Sequence, residues 1–229
     1  YSKAPELAPE FTMRVLYKSD RDNVYSNGFI SSMVIHDNYI YPLLDTGDVG
    51  VLKMFKVPIG VKKTEQSAKD DSIKWSLYFG NENERYLREA NINFLTANNT
   101  IRLCLLQRIN EFCQVRVIDV SLDGQILSNN LLDFRFDSSA KIARVSDNVF
   151  AVAYTQWNEA GNEVKVVRFN TDSEIINSAS ITDESGLLEV NNLKVAENGD
   201  IAVISMKPSF SCYWKFILTA FDKDMVKII

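Results

Sequence analysis

The chain holds one histidine and three cysteines among 229 residues, and those four side chains limit the chemistry open to it. His36 sits in Val34-Ile35-His36-Asp37-Asn38, immediately before a two-residue turn. A single histidine removes histidine-rich zinc sites and leaves one candidate for any histidine-based triad. Its placement reads as a strand-end residue touching solvent. No Gly-x-Ser-x-Gly, His-Glu-x-x-His, Walker loop or Gly-x-Gly-x-x-Gly occurs, and Gly47-Asp48-Val49-Gly50 is too short for a phosphate loop. Carboxylates are plentiful. Asp20-Arg21-Asp22-Asn23 and Asp45-Thr46-Gly47-Asp48 both offer alternating oxygens, but a calcium loop needs more ligands and a glycine at its bend, so both read as solvated turns. A pair of acids could serve a glycosidase, yet spacing selects no pair. The sequence therefore assigns no catalytic residue, no metal and no cofactor.

The cysteines say more. Cys104 and Cys113 flank Arg108-Ile109 symmetrically on what reads as one hairpin. With a turn centred there they face each other, and a non-hydrogen-bonded cross-strand pair is close enough to bridge. A Cys104–Cys113 disulfide is the expectation, with two buried thiols as its alternative. Cys212 is left without a partner within the sequence. Asn98-Asn99-Thr100 is the one Asn-x-Thr sequon and falls on a tight turn, making Asn98 the candidate glycan carrier. A bridge and a glycan would both imply an oxidising compartment, which favours a secreted or cell-surface protein.

The elements that must position these residues are strands. From Val149 to Tyr154 and from Val164 to Phe169, β-branched and aromatic residues fill the runs, and turn formers fill the gaps between them. The order recurs. A first tight turn appears at Asp37-Asn38, Asn98-Asn99, Asp147-Asn148 and Asn198-Gly199, at intervals of 61, 49 and 51 residues. A second appears at Ile59-Gly60, Asp123-Gly124, Asp172-Ser173 and Lys223-Asp224. From leading first-turn residue to Gly124, Ser173 and Asp224 the distance is 26 each time (98 to 124, 147 to 173, 198 to 224). Four strands per unit at a period of about fifty residues predict an all-β, β-propeller-like repeat of about four four-stranded antiparallel blades, either a whole disc or part of a larger ring. The repeats fall at 30–89, 90–139, 140–189 and 190–229 of a single domain. The first is longer: it contains the charged stretch Lys62 to Asp71, then Trp75 to Phe79, read as a surface excursion and an extra or extended strand. Phe11 to Lys18 reads as one further strand, and Tyr86 to Ala90 as the one candidate helical turn. A start at Tyr1 and a stop within the apolar run Met225 to Ile229 both read as cuts in a longer protein.

Phe150-Ala151-Val152-Ala153-Tyr154-Thr155, followed by Val166 to Asp172, resembles the repeats of bacterial cell-surface propellers, in which an aromatic-ended apolar strand precedes a strand closing on Arg-Phe-Asn-x-Asp-Gly. Asp123-Gly124 keeps the Asp-Gly of that pattern, Asp172-Ser173 has lost its glycine, and Ile59-Gly60 stands in the first unit. The resemblance implies fold and not activity.

The net charge of −5 counts against nucleic-acid binding, and no apolar run is long enough to span a membrane as a helix. Two functional readings follow. The first is a non-catalytic interaction module that docks a protein partner or another copy of itself, within a larger, extracellular or cell-surface assembly. The second is a propeller enzyme or carbohydrate-binding protein using acids and aromatics in a cleft. For the first, the loops joining strands two and three carry the candidate anchors: Asp45 to Asp48, Arg108 to Glu111, Gln156 to Asn162 and Pro208 to Tyr213. Trp157, Phe210 and Tyr213 lie there among polar residues, and large aromatics bury much area with few rotatable bonds.

Overall fold

The computed structural model describes residues 29–45, 51–59, 74–80, 85–86, 91–109, 112–136, 140–159, 161–184, 186–208 and 214–229. Everything described is strand, turn or irregular; no helix occurs among these residues. The strands form four antiparallel sheets. Sheet 1 holds β1 (Phe29–His36), β2 (Tyr39–Asp45), β3 (Leu52–Pro58) and β4 (Trp75–Phe79), in that order. Sheet 2 holds β5 (Arg85–Tyr86), β6 (Ile92–Leu95), β7 (Ile101–Ile109), β8 (Phe112–Val120) and β9 (Ile126–Phe136); both β5 and β6 pair with β7. Sheet 3 is β10 (Ala140–Arg144), β11 (Val149–Asn158), β12 (Gly161–Asn170) and β13 (Ile175–Ile181). Sheet 4 is β14 (Glu189–Val195), β15 (Ile201–Pro208) and β16 (Trp214–Phe221).

The sheets stack face to face as propeller blades. Their innermost strands neighbour one another, β1 against β6, β6 against β10, and β10 against β14. Three apolar cores lie between the blades. Tyr41, Leu43 and Met54 meet Leu103, Leu105 and Ile118 between sheets 1 and 2. Leu106, Val115 and Phe136 meet Phe150, Val152 and Phe169 between sheets 2 and 3. Ala151, Ala153, Val164 and Val166 meet Val190, Leu193, Ile201 and Val203 between sheets 3 and 4. The central strands of sheets 2 and 3 are apolar on both faces because each of those faces has a blade against it.

The tight turns share one end of the disc. Within a blade the two turns are joined by backbone hydrogen bonds, Ile59 N to Asn38 O (2.7 Å) and Thr171 N to Asn148 O (3.1 Å). Between blades the second turns of sheets 2, 3 and 4 are held by the blade before each. Lys56 Nζ (3.1 Å) and Trp75 Nε1 (3.0 Å) donate to Leu122 O. Asp133 N donates to Ser173 Oγ (3.0 Å), and Arg168 donates to Lys223 O. The first turn of sheet 3 is held by Arg102. Its guanidinium binds Asp119 twice (Nε–Oδ1 2.7 Å, Nη2–Oδ2 2.8 Å) and reaches across to Asp147 O (2.6 Å) and Asn148 Oδ1 (2.8 Å) of sheet 3. Asp147 in turn accepts from Ala97 N at 2.7 Å. Burial would push the Asp119 carboxyl up, but the Arg102 hydrogen bonds and charge, with help from Ser128, hold it below its ordinary value.

Several expectations change here. Cys104 and Cys113 are not bonded to each other. The β7–β8 register pairs Cys104 with Val117 and Cys113 with Arg108, because the strands end at Ile109 and Phe112 rather than turning at Arg108-Ile109. Moving the hairpin centre by two residues moves every partner by four, which separates the two cysteines by about 13 Å along the strand. Trp75 to Phe79 is not an extra strand but the fourth strand of sheet 1, paired with β3. The candidate helical turn begins at Tyr86, which is strand and pairs with Gln107; residues 87–90 lie outside the described residues. The fourth second-turn also shifts by one. Gly124 and Ser173 close their turns onto Ser121 O and Asn170 O with φ of 84° and 67°, and the corresponding residue is Met225, closing onto Asp222 O with φ of 65°, rather than Asp224.

Candidate protein-binding face

Because the tight turns occupy one end of the disc, the hairpins joining second to third strands occupy the other. These are the connections β2–β3, β7–β8, β11–β12 and β15–β16. The β11–β12 hairpin is paired out to its tip, with Trp157 opposite Asn162 and Asn158 opposite Gly161. The tip is pinned to the approach to sheet 4. Asn162 N donates to Gly186 O at 2.7 Å, and a Cβ on Gly161, whose φ is 122°, would stand 2.7 Å from Gly186 Cα. Only glycine permits that approach. Trp157 therefore projects from a rigid platform with 62% of its surface exposed.

Trp157 is not alone. Among the described residues the exposed aromatics are Tyr78, Phe112, Trp157, Trp214 and Phe216. The strand registers place all five in the hairpin half of the disc. Tyr78 pairs with Lys53, next to the Leu52–Asp45 pair that ends the β2–β3 ladder. Phe112 opens β8, Trp214 opens β16 opposite Pro208, and Phe216 lies two residues further in, opposite Met206. The exposed apolar residues beside the tight turns, such as Ile35, Ile126 and Ile175, are aliphatic. Phe210 and Tyr213, the other two anchors expected from sequence, lie outside the described residues, as do Cys212 and the charged stretch from 62 to 71.

The remaining candidates are scattered. His36 sits at the turn end beside Asp37 (Nε2–Oδ2 3.0 Å). Asn98 is exposed on a first turn, so a glycan there would project from the end opposite the aromatics. Asp20 to Asn23 and residues 46–48 lie outside the described residues, and Asp45 is buried. Among the described residues no three His, Cys, Asp or Glu side chains converge on a point where a metal ion could sit. Thr182, Asp183, Glu184 and Lys207 line an open cavity of about 720 Å³ near the hairpin end. There Lys207 Nζ lies 2.7 Å from both Asp183 oxygens, an arrangement that ties β15 to the end of sheet 3. Cys104 is fully buried, and burial pushes its thiol well above the ordinary range despite the nearby Arg102, so it is a packing residue and not a nucleophile.

Sequence reasoning found Trp157 but passed over Trp214, Phe216 and Leu218. The signal was there: one parity of β16 is wholly apolar (Trp214, Phe216, Leu218, Ala220) and the other carries Ile217 and Phe221, a pattern in which the outward face too is meant to be covered.

No protein-family model and no curated protein matches this chain. Among solved structures, it is similar to prolyl oligopeptidase B from Galerina marginata, with a TM-score of 0.43 and 9% identity over 86% of this chain. The chain spans about a third (34%) of that enzyme's length.

Proposed function

We propose that this propeller is a non-catalytic protein-interaction module that docks an extended or apolar segment of a partner on the hairpin end of its disc. The observation that carries the reading is Trp157, held out on a pinned hairpin, with Phe112 and Tyr78 exposed at the same end. Such residues give large contact area at low entropic cost, and a rigid platform lowers the cost further. The Asn98 sequon favours an extracellular or cell-surface setting. The disulfide half of that argument falls away with the register of β7 and β8.

The test is a random peptide library selected on the purified chain. Enriched peptides should bind Trp157→Ala/Phe112→Ala at least tenfold more weakly, or about 1.4 kcal/mol. Peptides that bind the double variant undiminished would show that this end is not the docking face.

A further inference from the structure

The outer face of sheet 4, the one turned away from sheet 3, has the composition of a blade-to-blade interface with no blade against it among the described residues. Register equates its positions with those of sheet 3. The pair Phe150–Phe169 faces sheet 2 as Ile201–Phe221 faces sheet 3. It follows that Ala153–Val166 matches Ile204–Leu218, and Thr155–Val164 matches Met206–Phe216. In sheet 3 these four positions are completely covered by sheet 4, apart from 2% of Thr155. In sheet 4 they remain apolar, but Phe216 is 60% and Leu218 54% exposed, and Trp214 beside them is 53% exposed. Ala202, Ile204, Met206 and Ala220 complete an uncharged surface across β15 and β16.

We propose that this face stacks on the same face of a second copy of the chain, about a two-fold axis that lies in the interface and runs across the strands. Three features of the face favour that occupant. First, it carries no charge over β15 and β16, so two copies meet without like-charge contact. Second, its bulk is graded. The Ala202–Ala220 pair lies at the turn end, while Met206–Phe216 and Pro208–Trp214 lie at the hairpin end. The two-fold lays the large end of one copy over the small end of the other, and the side chains interdigitate. Third, β14 borders the face with Glu189 opposite Met206 and Lys194 opposite Ala202. The same axis brings Glu189 of each copy to Lys194 of the other. A stable pair needs about 600 Å² from each copy, and Trp214, Phe216 and Leu218, each more than half exposed, are the large side chains that would supply it.

The test is light scattering coupled to size-exclusion chromatography on the full chain, from micromolar to hundred-micromolar concentration. The chain should run at twice its monomer mass. Phe216→Glu/Leu218→Glu should run as a monomer with an unchanged far-ultraviolet circular dichroism spectrum. The milder Phe216→Ser should raise the dissociation constant at least tenfold, which covers the case in which the double variant does not fold. Trp157→Ala should dimerise as the parent does, which separates this interface from the peptide-docking end. A parent chain that is monomeric throughout overturns the proposal and leaves the face to a different sheet. Open polymers, or dimers that survive both substitutions, overturn it as well.

Discussion

Arg102→Met tests whether the blades are clasped at their turns as the structure indicates. The wild-type guanidinium makes two charge-assisted bonds to Asp119 and two more to the turn of sheet 3, with the Arg102 and Asp119 side chains only 15% and 16% exposed. Methionine keeps much of the stem and removes the charge. Asp119 is then left mostly buried with the Ser128 hydroxyl, at 3.1 Å, as its remaining hydrogen-bond donor among those described here. Breaking a buried pair from one side costs about 3–5 kcal/mol, and the residual exposure puts this one at the low end, about 3 kcal/mol. For a chain of this length that is a fall in midpoint of about 6–12 °C. Urea unfolding followed by tryptophan emission measures it. Acid supplies a second readout. In the wild type the folded Asp119 carboxyl lies below its ordinary 3.8, so its stabilisation is present above that value and is lost as pH falls through the lowered one. In Arg102→Met burial acts without the cation and raises the carboxyl, so protonation on acidification relieves the variant. The gap between the two proteins should narrow from pH 7 towards pH 3. A loss under about 1 kcal/mol at pH 7, or a gap that does not change with pH, would refute the clasp.

Two further expectations concern a turn and the thiols. Gly124→Ala should cost at least about 1 kcal/mol more than Gly199→Ala. Both replace a glycine of positive φ, but a Cβ at 124 meets the Trp75 ring at 2.6 Å whereas one at 199 has nothing nearer than Lys223 Cβ at 3.7 Å; thermal midpoints of the two variants decide it. Alkylation under denaturing, non-reducing conditions should label both Cys104 and Cys113, and Cys104 should resist labelling in the native state because it is buried and its thiolate is disfavoured; a peptide joining the two would contradict the register of β7 and β8.

The repeat was legible because tight turns make demands that few residues meet. Asn38, Asn99, Gly124, Ser173 and Gly199 all take positive φ, and all lie in the turns read from sequence. The column slipped by one at its end because Met225 takes the strained position; nothing about methionine advertises a left-handed backbone, and the neighbouring aspartate does. The β7–β8 hairpin failed for the opposite reason. Asn110 is a turn former directly after Arg108-Ile109, but the symmetric spacing of Cys104 and Cys113 points to a turn at Arg108-Ile109 instead. A two-residue strand such as β5 carries no periodicity at all, so sheet 2 holds one strand more than the repeat predicts.

The candidate surfaces divide along the same line. Trp157 could be singled out because an aromatic among Gln156, Asn158 and Glu159 contrasts with its neighbours. Phe216 and Leu218 show in the sequence only as residues to be covered, because in a largely apolar strand they look like core, and by position they are core: the matching Val164 and Val166 of sheet 3 are fully buried. What sequence cannot carry is whether a sheet has a neighbour. In sheet 3 the covered face is built from Ala151, Ala153, Val164 and Val166, small enough for Leu188 and Leu193 to pack against. In sheet 4 Ala202 keeps the alanine of Ala151, but Ile204, Phe216 and Leu218 stand where sheet 3 has Ala153, Val164 and Val166, so at that end a partner sheet cannot sit as close unless its own bulk is offset. The two-fold arrangement supplies that offset, setting Trp214 and Phe216 of one copy against the alanine end of the other. A blade stacked in the orientation used within the chain would have to bring small residues of its own to the hairpin end.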